Sequence, residues 1–128
     1  VREGKDITLV AYGAMVHPTL EAATELQEKD GVEAEVIDLL TIAPIDDGRF
    51  TQSVQKTGRA VVVHEAPRSY GPGAEIAARL MEKSFLYLEA PVRRVTGVDV
   101  VIPLFQREKD YIPSVDRIVQ GARETLSF

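Results

Sequence analysis

The sequence predicts an α/β fold of three layers, with helices covering both faces of a mostly parallel sheet. Three observations carry that expectation. "ITLVAYG" (7–13) and "RAVVVHE" (59–65) are short, nearly unbroken apolar runs, the pattern of strands buried on both faces. The strand candidates alternate with stretches of helical spacing, and such alternation requires crossover connections and therefore parallel neighbours. The length of 128 residues, 45% hydrophobic and 27% charged, suits one domain with a core of its own.

Each element has a local reason. "VRE" at the start reads as an edge strand cut short, and a chain opening on Val1 is expected to be a piece of a longer protein. Residues 7–13 form the first buried strand. In "HPTLEAATELQEKDG", Pro18 suits a first helical turn, Leu20, Ala23 and Leu26 keep helical spacing, and Gly31 suits the position past the end. "VEAEVIDL" (32–39) is the second strand. "PIDDGRFTQSVQKTG" (44–58) reads as a short helix with Asp46 or Asp47 near its start, Gly58 after its end, and Phe50 and Val54 inward. Residues 59–65 follow as the third strand. The helix after "SYGPG" is expected to bury Ile76, Ala77, Leu80, Met81, Ser84 and Leu88.

"APVRRVTG" (90–97) gives a fourth strand. Residues 98–112 read as irregular, with Pro103 arguing against a regular element. That segment groups Val100, Val101, Ile102, Leu104, Phe105, Tyr111 and Ile112, and irregular chain so apolar calls for a cover from its own domain or a neighbour. The last helix starts near Pro113 and points Val115, Ile118, Val119, Ala122 and Leu126 inward.

Composition excludes several functions. A net charge of −5 with no basic stripe argues against nucleic-acid binding. The absence of cysteine removes disulfides, thiolate catalysis and cysteine-ligated metals, and fits a reducing compartment. No apolar run approaches a membrane span, and no signal-peptide pattern is present.

Candidate sites then narrow to three places. The loop "HEAPRSYGPG" lies where open α/β sheets bind ligands, beyond a strand's carboxyl end. Phosphate binding by Gly71 and Gly73 has four features against it. Ile76 stands where the dinucleotide fingerprint needs a small residue, Pro72 removes a donor, no P-loop lysine follows, and Glu75 repels an anion. His64 with Glu65 and Arg68 reads either as an acid–base group or as a polar cluster shaping the loop; Ser69 lacks the context of a nucleophile elbow. His17, before Pro18 at a helix start, suits a capping role. Phe128 at the end of "TLSF" reads either as a frayed terminus or, where that end is the native one, as an aromatic ring beside a carboxylate, an anchor for a basic partner.

The run "HEAPRSYGPGAEIAARLMEKSFLYLEAPVRRVTGVDVVIP", with "EKDYIPSVDRIVQGARETL" after it and "GKDITLVAYGAMVHPTLEAATEL" and "VEAEVIDLLTIAPID" before it, resembles one family over nearly the whole chain. It is similar to the C-terminal region of β subunits of 2-oxo acid dehydrogenase E1 components. Tyr70-Gly71-Pro72 depart from the two glycines and phenylalanine common in that loop. The resemblance implies a transketolase C-terminal-like domain covering residues 1–128, a five-stranded sheet with one antiparallel edge strand, and a pyrimidine-binding domain upstream. It implies an α2β2 heterotetramer with an E1 α subunit and a second β subunit as partners. It also implies docking of the subunit-binding domain of the E2 lipoyl acyltransferase. The parent enzyme would use thiamine diphosphate and Mg2+ to decarboxylate a 2-oxo acid and pass the acyl group to E2. This domain alone would bind neither and be inactive, and no catalytic residue carries over to it. By the resemblance the loop becomes a subunit interface, with His64, Glu65, Arg68 and Tyr70 hydrogen bonding and Gly71 and Gly73 allowing close approach. Phe128 becomes the E2-docking residue, with Glu89 beside it. The implied location is the cytoplasm, or the mitochondrial matrix in a eukaryote. The alternatives are a free-standing nucleotide- or phosphate-binding regulatory domain and the C-terminal domain of a transketolase or deoxyxylulose-phosphate synthase.

Overall fold

The computed structural model describes residues 1–103 and 107–128. Strands β1 (Ile7–Ala11), β2 (Ala34–Asp38), β3 (Ala60–Pro67) and β4 (Arg93–Gly97) form one sheet in the order β2-β1-β3-β4, with every pair parallel. The helices are α1 (Val16–Asp30), α2 (Asp47–Thr57), α3 (Pro72–Ser84), the single turn α4 (Glu108–Tyr111) and α5 (Val115–Leu126). The expected order of strands and helices is met.

The expected fifth strand is corrected to four. Arg2 alone pairs antiparallel with Val36, its N–H donating to Val36 O at 3.3 Å and its carbonyl accepting from Val36 N at 2.9 Å. That bridge lies beyond β2, where an antiparallel edge strand would lie. One residue pair makes a bridge and not a strand, because no second ladder step follows within the described residues.

Strand alternation divides the core into two layers. Ile7, Leu9, Ala11, Val61 and Val63 face α1 and α5, and meet Ala22, Ala23, Leu26, Ile118, Val119 and Ala122. Val10, Ala60 and Val62 face α2 and α3, and meet Phe50, Val54, Ile76 and Leu80. Thr8 is buried on this second face. Its hydroxyl is satisfied by Ser53 and Thr57 of α2, each at 2.7 Å. The polar residues of α2 that lacked a role in the sequence therefore pair with the one polar residue of β1.

Helix ends follow their local chemistry. Gly31 and Gly58 take the left-handed conformation (φ 69° and 71°) that closes α1 and α2. Pro72 opens α3, and the Ser114 side chain accepts from Arg117 N to start α5. Two expectations fail here. His17 caps nothing: the helix begins one residue before it, and its ring is exposed. Met81 is 48% exposed, because the inward stripe of α3 is the narrower set Ile76, Leu80 and Ser84. Residues 98–103 and 107–112 are irregular apart from a short helical turn that includes α4, and Leu104 and Phe105 lie outside the described residues.

Candidate functional site: two ends of the sheet

At the carboxyl end of β3, His64 is fully buried on the α3 face. Gly73 N–H donates to its Nε2 at 3.1 Å, and its Nδ1 lies 3.1 Å from Ala66 O. A nitrogen that accepts from an amide is unprotonated, so the proton sits on Nδ1 and is donated to Ala66. The ring is a neutral imidazole fixed by two backbone groups. Tyr12, just past β1, stacks on it with centroids 6.0 Å apart. Burial pushes the His64 pKa below its ordinary value; the Ala66 bond opposes this, and the positive charge of Arg94 adds to it.

The loop glycines leave room for this ring, and Gly71 also for the Pro67 carbonyl. A Cβ at Gly73 would lie 2.8 Å from His64 Cδ2, and one at Gly71 would lie 2.9 Å from Cε1. Their close approach is thus within the chain. The same contacts bear on the phosphate reading. Gly73 N–H is taken by His64, Ala74 N–H donates to Gly71 O at 3.0 Å, and Pro72 has no N–H. The first turn of α3 therefore offers a diphosphate no free set of donors, and the loop does not fit that part of thiamine diphosphate. Among the described residues, no three His, Asp or Glu side chains cluster closely enough to hold a metal.

The rest of the loop faces outward. Glu65 and Arg68 are exposed. Tyr70 is wholly exposed and held at φ 59°, a left-handed conformation that costs a tyrosine roughly 1–2 kcal/mol. Asp99 braces the loop by accepting from Ser69 N at 2.8 Å and Ser69 Oγ at 2.6 Å, and these bonds hold its carboxyl below the usual range. Past the carboxyl ends of β2 and β4, Leu40, Val98, Val100, Val101 and Ile102 are exposed. Tyr111 instead is buried over Gly97, where a Cβ would lie 2.5 Å from its Cζ.

At the amino end of the sheet, Phe128 is 79% exposed and closes an apolar groove of about 540 Å³. Ala77, Met81 and Phe85 form one wall, Pro91 and Val92 the other, and Glu89 lies on the rim. Glu89 is paired with Arg59 at 2.5 Å, with its side chain still mostly exposed. On the far side of Phe128 lies a polar hollow of about 260 Å³ whose charged lining is Arg68, Arg93, Arg94 and Glu124. The fold therefore brings Phe128 and Glu89 to one groove, and keeps His64, Glu65, Arg68 and Tyr70 in one loop. Sequence reasoning missed Met81 and Phe85. Their signal was a second apolar stripe on α3, Ala74-Ala77/Ala78-Met81-Phe85, spaced as regularly as the inward one.

The transketolase C-terminal domain family matches residues 1–118. The chain belongs to that family. This transketolase C-terminal domain is 52% identical over 127 residues to the pyruvate dehydrogenase E1 component subunit beta of Staphylococcus epidermidis, covering 99% of this chain and 39% of that protein. The counterpart from Staphylococcus aureus is 50% identical over the same share of each chain. A solved split-gene transketolase, described as an inactive β4 tetramer, superposes with a TM-score of 0.83 at 33% identity, over 98% of this chain and 40% of that one. The match falls in the C-terminal part of the pyruvate dehydrogenase subunits, so the family and fold implied by the sequence are met. The chain spans about two fifths of the length of these relatives.

Proposed function

We propose that this chain is the subunit-assembly and partner-docking domain of the β subunit of a thiamine-diphosphate-dependent 2-oxo acid dehydrogenase E1 component, with no turnover of its own. The observation that carries this reading is identity of 50–52% along essentially the whole chain to pyruvate dehydrogenase E1 β subunits. The side-chain chemistry supports it. The one buried imidazole is committed to backbone groups, whereas both ends of the sheet leave large apolar side chains exposed. At the carboxyl end, Tyr70 and Val98–Ile102 form the contact with the rest of the β subunit, the second β subunit and the α subunit. At the amino end, the groove beside Phe128 takes an apolar side chain of the E2 subunit-binding domain, while Glu89 meets a basic group. Thiamine diphosphate and Mg2+ are held by the remainder of the assembly, which lies in the cytoplasm.

The test uses assembled E1 carrying Phe128→Ala in its β subunit. Decarboxylation of the 2-oxo acid with an artificial electron acceptor should be unchanged, while E2 capture weakens about tenfold or more, the effect of losing one buried aromatic anchor. E2 affinity equal to that of wild type would overturn the docking part. The regulatory phosphate-binding alternative is separated by calorimetry of the chain with nucleotides, where micromolar binding would favour it.

A further inference from the structure

The groups around His64 form an arrangement with two states. The ring fills the space left by Gly71 and Gly73, and its Nε2 is the acceptor for Gly73 N–H at the start of α3. An imidazolium has no acceptor nitrogen. Protonation would therefore turn this hydrogen bond into two N–H groups facing each other.

Nothing nearby is arranged to compensate the charge. From β4, Arg94 approaches the same space, its Cδ 3.5 Å from the Gly73 Cβ position, and it repels a cation. From the end of β1, Tyr12 presents a ring whose phenol burial pushes further from ionisation. On β3 itself, Glu65 is the next residue; it is exposed, and its charge acts on Tyr12 and is not among the causes of the His64 shift. On α3, Glu75 is engaged by Arg79 at 2.7 Å. In the flanking loops, Arg68 adds positive charge, and Asp99 is tied to Ser69. Two bonds to Gly73 and Ala66 thus hold a loop in which Tyr70 already sits in a strained left-handed conformation.

We propose that neutral His64 is a pH-sensitive latch on the β3–α3 loop: the unprotonated ring holds the first turn of α3 closed, and protonation releases residues 68–73 together with the exposed Tyr70. The inference concerns this chain alone. Where the loop is a subunit contact, as proposed above, mild acid would loosen that contact first.

The experiment is NMR on the whole 128-residue chain, titrated from pH 8 to pH 5. The His64 ring should titrate below the ordinary histidine value of about 6.5. Across the interval from about 6.5 down to the His64 midpoint, Gly73 amide protection should fall about tenfold per pH unit, because the open state binds one more proton. A second arm uses His64→Gln, whose amide oxygen can accept from Gly73 and does not titrate; protection should then be independent of pH. If that variant does not fold, the wild-type titration alone decides. His64 titrating at or above about 6.5, or Gly73 protection constant from about pH 6.5 down to the His64 midpoint, would overturn the latch. Subunit assembly need not be measured for either outcome, so failure of the assembly reading and failure of the latch are distinguishable.

Discussion

Gly73→Ala should destabilise the chain by roughly 1–3 kcal/mol, and the size of the loss follows from what stands beside Gly73. The new methyl would lie 2.8 Å from His64 Cδ2, inside any ordinary contact, and the ring cannot swing aside. Tyr12 stacks on it, and both of its nitrogens are engaged by backbone groups. Overpacking at a filled site costs about 1–3 kcal/mol. Displacing the ring also loses the Gly73 N–H bond, worth about 1 kcal/mol. Alanine returns about 1 kcal/mol through its better helix propensity, so the packing cost survives as the net effect. For a chain of this size the melting temperature should fall by roughly 3–15 °C. Gly48→Ala is the control. It is the same substitution in the first turn of α2, where the nearest atom to the new Cβ is Asp46 Oδ1 at an ordinary 3.5 Å. It should leave stability unchanged or raise it by up to about 1 kcal/mol. Urea unfolding followed by circular dichroism measures both. If Gly73→Ala is as stable as Gly48→Ala, the glycine does not exist to seat the histidine, and the account of this loop is wrong.

Other outcomes follow from the same contacts. Phe50→Ala empties a fully buried site between the sheet and α2, and should cost about 3–5 kcal/mol in the same unfolding assay. Stability should decline with acid below about pH 6.5: the folded His64 pKa is lowered, the unfolded chain therefore binds more protons there, and the penalty is complete only below the folded midpoint. A His64→Gln variant with the same acid dependence as wild type would show that other groups dominate. Ser114→Ala removes the hydroxyl that accepts from Arg117 N and should cost about 1 kcal/mol by urea unfolding. Phe128→Ala should leave the melting temperature within about 2 °C of wild type, because its ring is mostly solvated, so any loss of partner binding reflects the interface and not the fold.

How far the sequence could be read depended on whether a signal was periodic. β1 and β3 are legible because a strand covered on both faces reads as a nearly continuous apolar run. The ends of α1 and α2 were legible because Gly31 and Gly58 follow the last helical residues and adopt the left-handed geometry that glycine permits. Met81 was misplaced for a related reason. α3 carries two apolar stripes, periodicity cannot rank them, and the positions of β3 and α2 decide that Ile76, Leu80 and Ser84 turn inward. His64 was harder still. Its partners are backbone groups, Ala66 O and Gly73 N–H, which have no signature in the sequence, so its tautomer could not be inferred from neighbouring side chains.

The two ends of the sheet can be told apart by the same reasoning. A buried polar group that performs chemistry must retain a free donor or acceptor for its substrate. His64 retains none, since both ring nitrogens are engaged within the chain, and the helix turn beside it has no free amide set to offer. Large apolar side chains at the surface have the opposite property: Tyr70, Val101, Leu86 and Phe128 are each at least 79% exposed and lose water only when something covers them. A buried imidazole with both nitrogens engaged and apolar side chains left uncovered outside are what a contact-making domain requires. A domain carrying its own active site would show the reverse at the carboxyl end of its sheet. A reactive imidazole there would be detected by diethyl pyrocarbonate, which should reach exposed His17 and modify buried His64 at least about tenfold more slowly. Equal rates would mean that His64 is available for chemistry, and the division of labour between the two ends would have to be abandoned.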